Sequence, residues 1–330
     1  MAREILGVDI GSKRVKLCVL RNGEIVQTAL LDTPENAVRN DSLTAYEAMS
    51  ALLREGMKEN GIHCRKAALV IPDPDAYMHR LTMPLMSEKQ LAVNLPYEFH
   101  DVITDHKDHY LYDYAMIASH AVQGDQPGEM ELMAGAVSKE KIEAYQEMFH
   151  HAGLKLVMAA PRQMALVSVL RAFSNTCGKG DVAMVDLGDA YTRVDLFRDG
   201  TYEATRTIET GVAAIASAIG DVLNVDPHVA RGYLRNDQDS VLESEPLANV
   251  YNVIAVEIMR AINYYTYENQ NNTLEKLYVY GGGSHLKQLV ASIADSVSSL
   301  QVLPVEAMDM SAPKELEDHL TSFGIAREAA

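Results

Sequence analysis

Cysteine is scarce in this sequence, and long apolar runs are absent. The 330 residues contain three cysteines, Cys18, Cys64 and Cys177, which are far apart and odd in number. They exclude a disulfide framework and a cysteine-rich metal site, and they indicate a reducing compartment. No apolar run approaches the roughly 18 residues of a membrane-spanning helix, and no signal-peptide pattern opens the chain. We therefore expect a cytoplasmic protein with no direct membrane span.

Basic residues are also in short supply. Lysine and arginine number 29 against 46 aspartates and glutamates, which gives a formal net charge of −17 at pH 7. So acidic a protein repels a phosphate backbone at long range, which argues against nucleic acid as a partner. A nucleotide is not excluded, because backbone amides and a metal ion can hold phosphates inside an acidic protein. The apolar content of 48% is typical of a globular chain, and the length favours two domains.

An internal repeat relates the two halves of the chain. Residues 4–25 and 181–202 align without a gap at an offset of 177 positions. In each copy an apolar strand ends in an Asp-x-Gly turn, a second strand follows, and an Asn-Gly or Asp-Gly dipeptide predicts a tight hairpin. Asp9 and Gly11 of the first copy match Asp186 and Gly188 of the second. The repeat predicts two similar α/β lobes.

The repeated turns also suit phosphate binding. Each places a carboxylate at the tip of a strand, and the glycine lets the backbone approach a ligand with its N–H groups. A hydroxyl residue follows in each copy, Ser12 in the first and Thr192 in the second. Two such loops facing each other could clamp a triphosphate, with Asp9 and Asp186 holding Mg²⁺ directly or through its waters. The alternative, that each turn only shapes a hairpin, is weakened because the motif occurs twice with matched flanks.

A glycine-rich turn supplies a third element. The apolar strand at 277–280 is followed by Gly281, Gly282, Gly283 and Ser284, and the apolar periodicity then predicts a helix from about 285 to 298. Three glycines at the end of a strand form a surface on which a flat ring or a ribose can lie against backbone. Alone this pattern also fits a plain turn, so its weight comes from the two phosphate loops that precede it.

In this order the three motifs resemble those of the actin-like ATPase superfamily. Residues 8–16, which include Lys13 and Lys16, are similar to the first phosphate motif of that superfamily. Residues 185–192, which include Asp189, are similar to its second phosphate motif, and residues 280–284 are similar to its adenosine motif. The resemblance implies duplicated actin-like, ribonuclease-H-like α/β lobes around a cleft for ATP and Mg²⁺. It also implies that the helix opened by Gly211 offers N–H groups to an anion. Glu257 and Arg260 would touch the ribose or base, the alternative being a solvated helix face.

Within this superfamily the chain most resembles the type IV pilus assembly family PilM, a relative of the division protein FtsA. The segment 81–88, the apolar strand at 133–137 with its following helix, and the closing residues 322–326 carry the resemblance. It implies an inserted subdomain of the FtsA and PilM type, in which a capping box at Ser87 starts a helix that Pro96 ends. The implied division is a first lobe at 1–76, 158–178 and 314–330, an inserted subdomain at 77–157, and a second lobe at 179–313 with a helical subdomain at 211–270.

The family resemblance also implies a function. It points to a cytoplasmic assembly factor of a type IV pilus or a related secretion machine, held at the inner face of the membrane by a partner. In that family the partner is PilN, whose short cytoplasmic N-terminal segment lies in a groove beside the inserted subdomain, alongside other pilus assembly components. Two alternatives stay open. An FtsA-like division protein would need a C-terminal amphipathic helix that we do not find, and a small-molecule kinase would need a catalytic base near the cleft.

Two departures from the superfamily pattern bear on catalysis. The polar group that orients the attacking water in actin-like hydrolases would fall on Ala160 or Arg162, and neither is a carboxylate. Ala190 stands where actin has a glycine in its second phosphate loop. Without a group to position water, hydrolysis is slow even when ATP binds. We therefore expect nucleotide binding, with a Mg²⁺-dependent ATPase activity that is weak or absent.

Overall fold

A computed structural model of the chain describes residues 4–121, 128–173, 179–236, 238–309 and 312–330. Cys177 and most of the loop predicted at 124–128 lie outside these residues. The strands are β1 (Glu4–Ile10), β2 (Arg14–Arg21), β3 (Glu24–Asp32), β4 (Val38–Arg39), β5 (Ser42–Leu43), β6 (Lys66–Ile71), β7 (Ala76–Pro84), β8 (Tyr110–His120), β9 (Glu129–Ser138), β10 (Lys155–Pro161), β11 (Asp181–Leu187), β12 (Thr192–Arg198), β13 (Thr201–Ile208), β14 (Lys276–Tyr280) and β15 (Gln301–Pro304). The helices are α1 (Tyr46–Glu59), α2 (Glu88–Asn94), α3 (Lys139–His151), α4 (Arg162–Ala172), α5 (Val212–Leu223), α6 (Pro227–Asn236), α7 (Glu245–Glu268), α8 (Lys287–Ser296) and α9 (Leu316–Glu328).

Two five-stranded sheets with the same topology form the centre of the molecule. Their strand orders are β10-β6-β1-β2-β3 and β15-β14-β11-β12-β13, so each strand of one has a counterpart in the other. The first three strands of each lobe are antiparallel, and the other two run parallel to the first. Both predicted hairpins form, with positive φ at Asn22 and Gly23 and at Asp199 and Gly200, as a tight two-residue turn requires. The duplication predicted from the repeat is confirmed.

Helices α4 and α9 lie between the two sheets and join them. One buried cluster contains Leu166 and Val169 of α4, Leu320 and Phe323 of α9, and side chains from both sheets such as Met184. The closing segment of the chain is therefore part of the central packing. Because α9 also touches β1, β2 and β14, the two lobes share a core in addition to their own cores.

The inserted segment has its own sheet and its own small core. Strands β7, β9 and β8 form a three-stranded sheet, and α2 and the following turn cover it with Leu91, Leu95 and Phe99. The capping box at Ser87 is present, and α2 ends at Asn94 just before Pro96, as predicted. The remainder of the segment 77–157 packs differently, because Tyr145 of α3 is buried in the core of the first lobe. The separate packing of the insertion thus ends near Ser138.

The helical part of the second lobe consists of α5, α6 and α7. The long helix α7 buries the predicted stripe, Tyr251, Ile254, Ile258, Ile262 and Tyr265, in the core of that lobe. After the triple glycine, the predicted helix begins later than expected, because Gly282–His285 form a short 3₁₀ turn before α8 starts. Within the described ranges, no helix has both the length and the apolar character needed to cross a membrane.

His319 is a buried histidine in the shared helix α9. The residue is only 5% exposed, and its Nδ1 has no hydrogen-bond partner among the residues that the structure describes. The backbone leaves helical geometry there, with φ −116° and ψ 17°. Burial disfavours the imidazolium and lowers the pKa of His319 from 6.5 to about 4. The fold therefore holds this ring in its neutral form.

The buried His319 predicts a specific pH dependence of stability. Since its pKa is lower in the folded than in the unfolded chain, the unfolded state binds the extra proton, and stability falls as the pH drops from about 6.5 to about 4. We expect the wild-type free energy of unfolding to fall by about 1–3 kcal/mol more than that of His319→Gln over this range. Urea titration followed by circular dichroism measures it. The exposed His63→Gln variant should behave like wild type, and equal pH slopes for wild type and His319→Gln would contradict the assignment.

Candidate functional site

A cleft of about 560 Å³ opens between the two sheets, where both repeated turns end. Residues from all three predicted motifs line it, namely Asp9, Gly11, Ser12, Lys13 and Lys16 of the first, Asp186, Gly188 and Asp189 of the second, and Gly282 of the third. The matching topology of the two sheets causes this convergence, because it brings the carboxyl ends of β1 and β11 to the same gap. The two Asp-x-Gly turns thus share one cavity.

In the first turn, Asp9 and Lys16 form a partly buried ion pair. They face each other across β1 and β2, with Lys16 Nζ 2.9 Å from Asp9 Oδ2. The hydroxyl of Thr321 in α9 donates to the same carboxylate oxygen at 2.5 Å. Burial alone would raise the pKa of Asp9, but the Lys16 charge and these hydrogen bonds bring it below its usual value. Asp9 is therefore an anion beside a lysine that also faces the cleft.

The triple-glycine turn is built directly against the second phosphate turn. Gly281 has φ +85°, and a Cβ placed on it would lie 2.6 Å from Asp186 Oδ1, so a side chain is excluded there. The Ser284 hydroxyl lies 2.6 Å from the Gly281 carbonyl and 2.8 Å from Glu317 Oε1 of α9. Gly283 is closed in by Leu187 and Val212. Of this motif only Gly282 lines the cleft, while the others hold its wall in place.

The helix that follows Gly211 does not present its first N–H groups to the cleft. Val212 N–H donates to the Gly188 carbonyl at 3.0 Å, and Ala213 N–H donates to the Asp189 carbonyl at 2.9 Å. A Cβ on Gly211 would lie 2.4 Å from that Asp189 carbonyl oxygen. The glycine thus allows close packing of α5 on the phosphate loop. The N–H groups that were expected to bind an anion donate to loop carbonyls instead.

Three other predicted residues lie away from the cleft lining. Thr192 is 1% exposed at the start of β12. Glu257 and Arg260 form an ion pair with each other on α7, where the Arg260 side chain is 67% exposed. Thr192 thus adjoins the second phosphate turn with its side chain buried, and none of the three side chains is among those that line the cleft. Asp189 does line the cleft, where it accepts a hydrogen bond from Arg231 of α6 at 2.5 Å.

Arg162 is a functional residue whose partners the sequence did not reveal. It begins α4 at the end of β10, and its guanidinium forms a bidentate pair with Asp195 of β12, at 2.5 and 3.0 Å. Asp195 is 0% exposed and also accepts from Thr205 at 2.6 Å. The carboxylates of Asp195 and Asp73 raise the pKa of Arg162 despite its burial. This pair joins the first lobe to the second beside the cleft.

Arg193 makes a second bridge between the lobes. From β12 it contacts Asp41 of the β4–β5 turn, and its Nε lies 3.0 Å from Asp73 Oδ2. Its Nη1 lies 3.7 Å from Asp186 Oδ2 of its own lobe. A sequence signal existed, because Arg193 occupies the repeat position of Lys16, and β11 and β12 place it opposite Asp186. No pattern pointed to Asp41 or Asp73.

The donor set of the cleft limits how Mg²⁺ can be held. Among the described residues, no group of three or more histidine, cysteine, aspartate or glutamate side chains could hold a metal ion. Asp9 is engaged by Lys16 and Thr321, and burial raises the pKa of Asp186. Mg²⁺ usually keeps several waters and binds one or two carboxylates together with substrate phosphates. The residues present fit that mode, with Asp9 and Asp186 as the two carboxylates.

Comparison with solved structures shows the same fold in other proteins. The PilM–PilN type IV pilus biogenesis complex matches with a TM-score of 0.82 at 19% identity, over 100% of this chain and 99% of that one. The ethanolamine utilization protein EutJ from Carboxydothermus hydrogenoformans matches with a TM-score of 0.64 at 17% identity, over 99% and 90% of the chains. An activator of the 2-hydroxyisocaproyl-CoA dehydratase from Clostridium difficile, with bound ADPNP, has a TM-score of 0.50 at 10% identity, over 99% and 94%.

The duplicated sheets and the cleft between them define a protein of the actin-like ATPase fold. A search of curated proteins gives no match. The family model of the type IV pilus assembly protein PilM matches residues 7–328, and the chain belongs to this family. The resemblance read from the sequence motifs is thereby confirmed.

The Arg162–Asp195 pair should contribute strongly to stability. In Arg162→Ala the Asp195 carboxylate stays buried without its cation, and we expect the free energy of unfolding to fall by about 3–5 kcal/mol in urea titrations. The exposed pair of Arg21 with Glu4 gives a matched control, and Arg21→Ala should cost less than about 1 kcal/mol. Replacing both partners, as Arg162→Met with Asp195→Leu, should cost less than Arg162→Ala alone. A similar small loss for both single arginine variants would contradict a buried bridge.

Proposed function

We propose that this chain is a nucleotide-binding assembly factor of a type IV pilus or a related secretion machine. ATP with Mg²⁺ would occupy the cleft and hold the two lobes closed. One observation carries this proposal: two Asp-x-Gly turns and a side-chain-free glycine turn meet around a single cavity. Such a ligand acts by favouring one conformation over another, and it needs no turnover to do so.

The proposed ligand contacts follow from the surfaces that line the cleft. Backbone N–H groups near Gly11, Ser12 and Lys13 and near Gly188 and Asp189 would cradle the phosphates, and Lys16 would supply a positive charge. The adenosine would lie on the glycine turn at 281–283, with Gly282 facing it. Asp9 and Asp186 would orient Mg²⁺ through its waters. Glu257 and Arg260 of α7 would contact the ribose or the base.

The structure at Arg162 supports slow hydrolysis. The family resemblance puts the group that orients water in actin-like hydrolases at Ala160 or Arg162, so that position holds either a methyl group or a guanidinium. A guanidinium only donates hydrogen bonds and accepts no proton from water, and this one is already paired with Asp195. We therefore infer that ATP serves as a conformational ligand, with an ATPase activity that is weak or absent.

The proposed partner is the cytoplasmic N-terminal peptide of a PilN-like bitopic membrane protein, together with other pilus assembly components. The similarity of this chain, over its whole length, to the PilM–PilN complex supports this choice. The inserted subdomain also exposes apolar side chains, with Val93 65% and Tyr97 56% exposed. Val93 lies in the last turn of α2 and Tyr97 in the 3₁₀ turn that follows it, and both could contact an apolar peptide. Such a partner would hold the protein at the inner face of the membrane.

Nucleotide binding is tested at the glycine turn. Gly281→Ala places a methyl group against Asp186, and we expect the affinity for Mg²⁺–ATP to fall at least about tenfold in calorimetric titrations, because the turn must shift. Gly61→Ala is the matched control, since Gly61 also has positive φ, at +66°, but nothing within 4 Å of an added Cβ. It should bind like wild type. Absence of ATP binding by the wild-type protein would contradict the proposed function.

Partner binding is tested on the inserted subdomain. Tyr97→Glu introduces a charge into the exposed apolar surface, and we expect it to reduce co-purification with a PilN-like N-terminal peptide at least about tenfold. Tyr267→Glu is the control, because Tyr267 is 77% exposed on the second lobe, far along the chain from the insertion. Equal retention of the peptide by both variants would exclude the surface around Tyr97 as the docking site.

A further inference from the structure

Arg193 and Lys16 are equivalent positions of the internal repeat. They are separated by the repeat offset, and each stands opposite the aspartate of its own turn, Lys16 opposite Asp9 and Arg193 opposite Asp186. Their contacts nevertheless differ. Lys16 closes on Asp9 at 2.9 Å, whereas Arg193 remains 3.7 Å from Asp186 and reaches the first lobe instead. The repeat thus places two cations at related points of the cleft, and one of them spans the gap between the lobes.

Arg193 has both the burial and the unfilled bonding capacity of a ligand-binding residue. It is 8% exposed and still lines the cleft together with Asp41 and Asp73. Its Nε is close to Asp73 but, among the described residues, has no hydrogen-bond partner of suitable geometry. A guanidinium presents a planar fork that binds phosphate oxygens in pairs. A phosphate group in the cleft could therefore use donors that the carboxylates leave free.

Asp41 is the carboxylate of the first lobe that contacts the Arg193 Nη2 group. It sits in the turn between β4 and β5, where Asn40 and Asp41 both have positive φ, 48° and 63°. Burial raises the pKa of Asp41 even though Arg193 is its partner, so this carboxylate is poorly stabilised as an anion. A terminal phosphate carries more negative charge and more acceptor oxygens than Asp41, and it would compete well for the guanidinium.

The topology indicates which phosphate Arg193 would meet. In the second sheet β11 lies between β14 and β12. The glycine turn follows β14, and Arg193 lies near the start of β12, so the two are on opposite sides of the second phosphate turn. A nucleotide with its base on the glycine turn extends across that turn toward Arg193. The phosphate nearest to this arginine is then the one farthest from the base.

We propose that Arg193 binds the terminal phosphate of a nucleoside triphosphate and that Asp41 holds its guanidinium until the phosphate replaces it. The proposal rests on the proposed function, since it assumes a nucleotide in the cleft. It makes Arg193 the residue that distinguishes a triphosphate from a diphosphate. The displaced carboxylate, that of Asp41, precedes Ser42, whose hydroxyl donates to Asp75 at 2.8 Å. Asp75 in turn precedes the first strand of the insertion.

Calorimetric affinities for Mg²⁺–ATP and Mg²⁺–ADP test this assignment. For Arg193→Gln we expect ATP affinity to fall about 10-fold to 100-fold while ADP affinity stays within about threefold of wild type, since one charge-assisted contact to the last phosphate is lost. For Asp41→Asn we expect tighter ATP binding and unchanged ADP binding, because the competing carboxylate is gone. Arg206→Gln is the control, since Arg206 is exposed on β13 in register with Val194, and it should change neither affinity.

The outcomes separate this proposal from the broader one. If wild-type protein binds neither nucleotide, the proposed function fails and the assignment of Arg193 fails with it. If wild type binds ATP but Arg193→Gln weakens ATP and ADP equally, or weakens neither, only the role of Arg193 is overturned. Weaker ATP binding by Asp41→Asn would overturn it as well. Retained ADP binding shows that a variant is folded, and Arg193→Lys, which keeps the charge without the fork, should lose less ATP affinity than Arg193→Gln.

Discussion

Buried charge pairs between the lobes are the constraint on which the cleft depends. Arg162 in the first lobe and Asp195 in the second are both almost fully enclosed, and their two hydrogen bonds leave little freedom in the relative position of the lobes. Removing such groups from water costs several kcal/mol per ion, and only good geometry compensates for that cost. A displacement that opened this pair would have to rehydrate both charges. A change in the angle between the lobes therefore has to keep this pair closed.

Duplication gives the two lobes the same strands and turns, and the differences between them lie in the charges. In the first lobe Lys16 neutralises Asp9 within one hairpin. In the second lobe the equivalent cation, Arg193, leaves Asp186 at a longer distance and contacts the first lobe. The aspartate of the first turn is thus paired within its own hairpin, whereas the cation of the second turn is paired with carboxylates of the opposite lobe. An anion entering the cleft would disturb the second turn more than the first.

The sequence predicted those features that depend on residues close together in the chain. The gap-free repeat predicted the hairpins and two similar lobes, because strand pairing within a hairpin and turn type follow from local patterns. The contacts of Gly211 could not be predicted, since its helix donates to loop carbonyls more than 20 residues earlier. The periodicity of α7 identified its buried face correctly, but it did not show that Glu257 pairs with Arg260. Asp41 and Asp73 followed no pattern, because only the folded chain brings them to Arg193.

The inserted subdomain is attached to both lobes, and this attachment connects the cleft with the proposed partner. Its first strand, β7, begins next to Asp75, which lies 3.0 Å from Lys141 of α3 in the first lobe. Farther along β7, Arg80 lies 2.6 Å from Glu203 of β13 in the second lobe. Because β7 follows the first lobe directly, a change in the angle between the lobes would act on the Arg80–Glu203 contact. Under the proposed function, ATP would change the position of the inserted, peptide-binding subdomain by closing the lobes, and hydrolysis would not be needed.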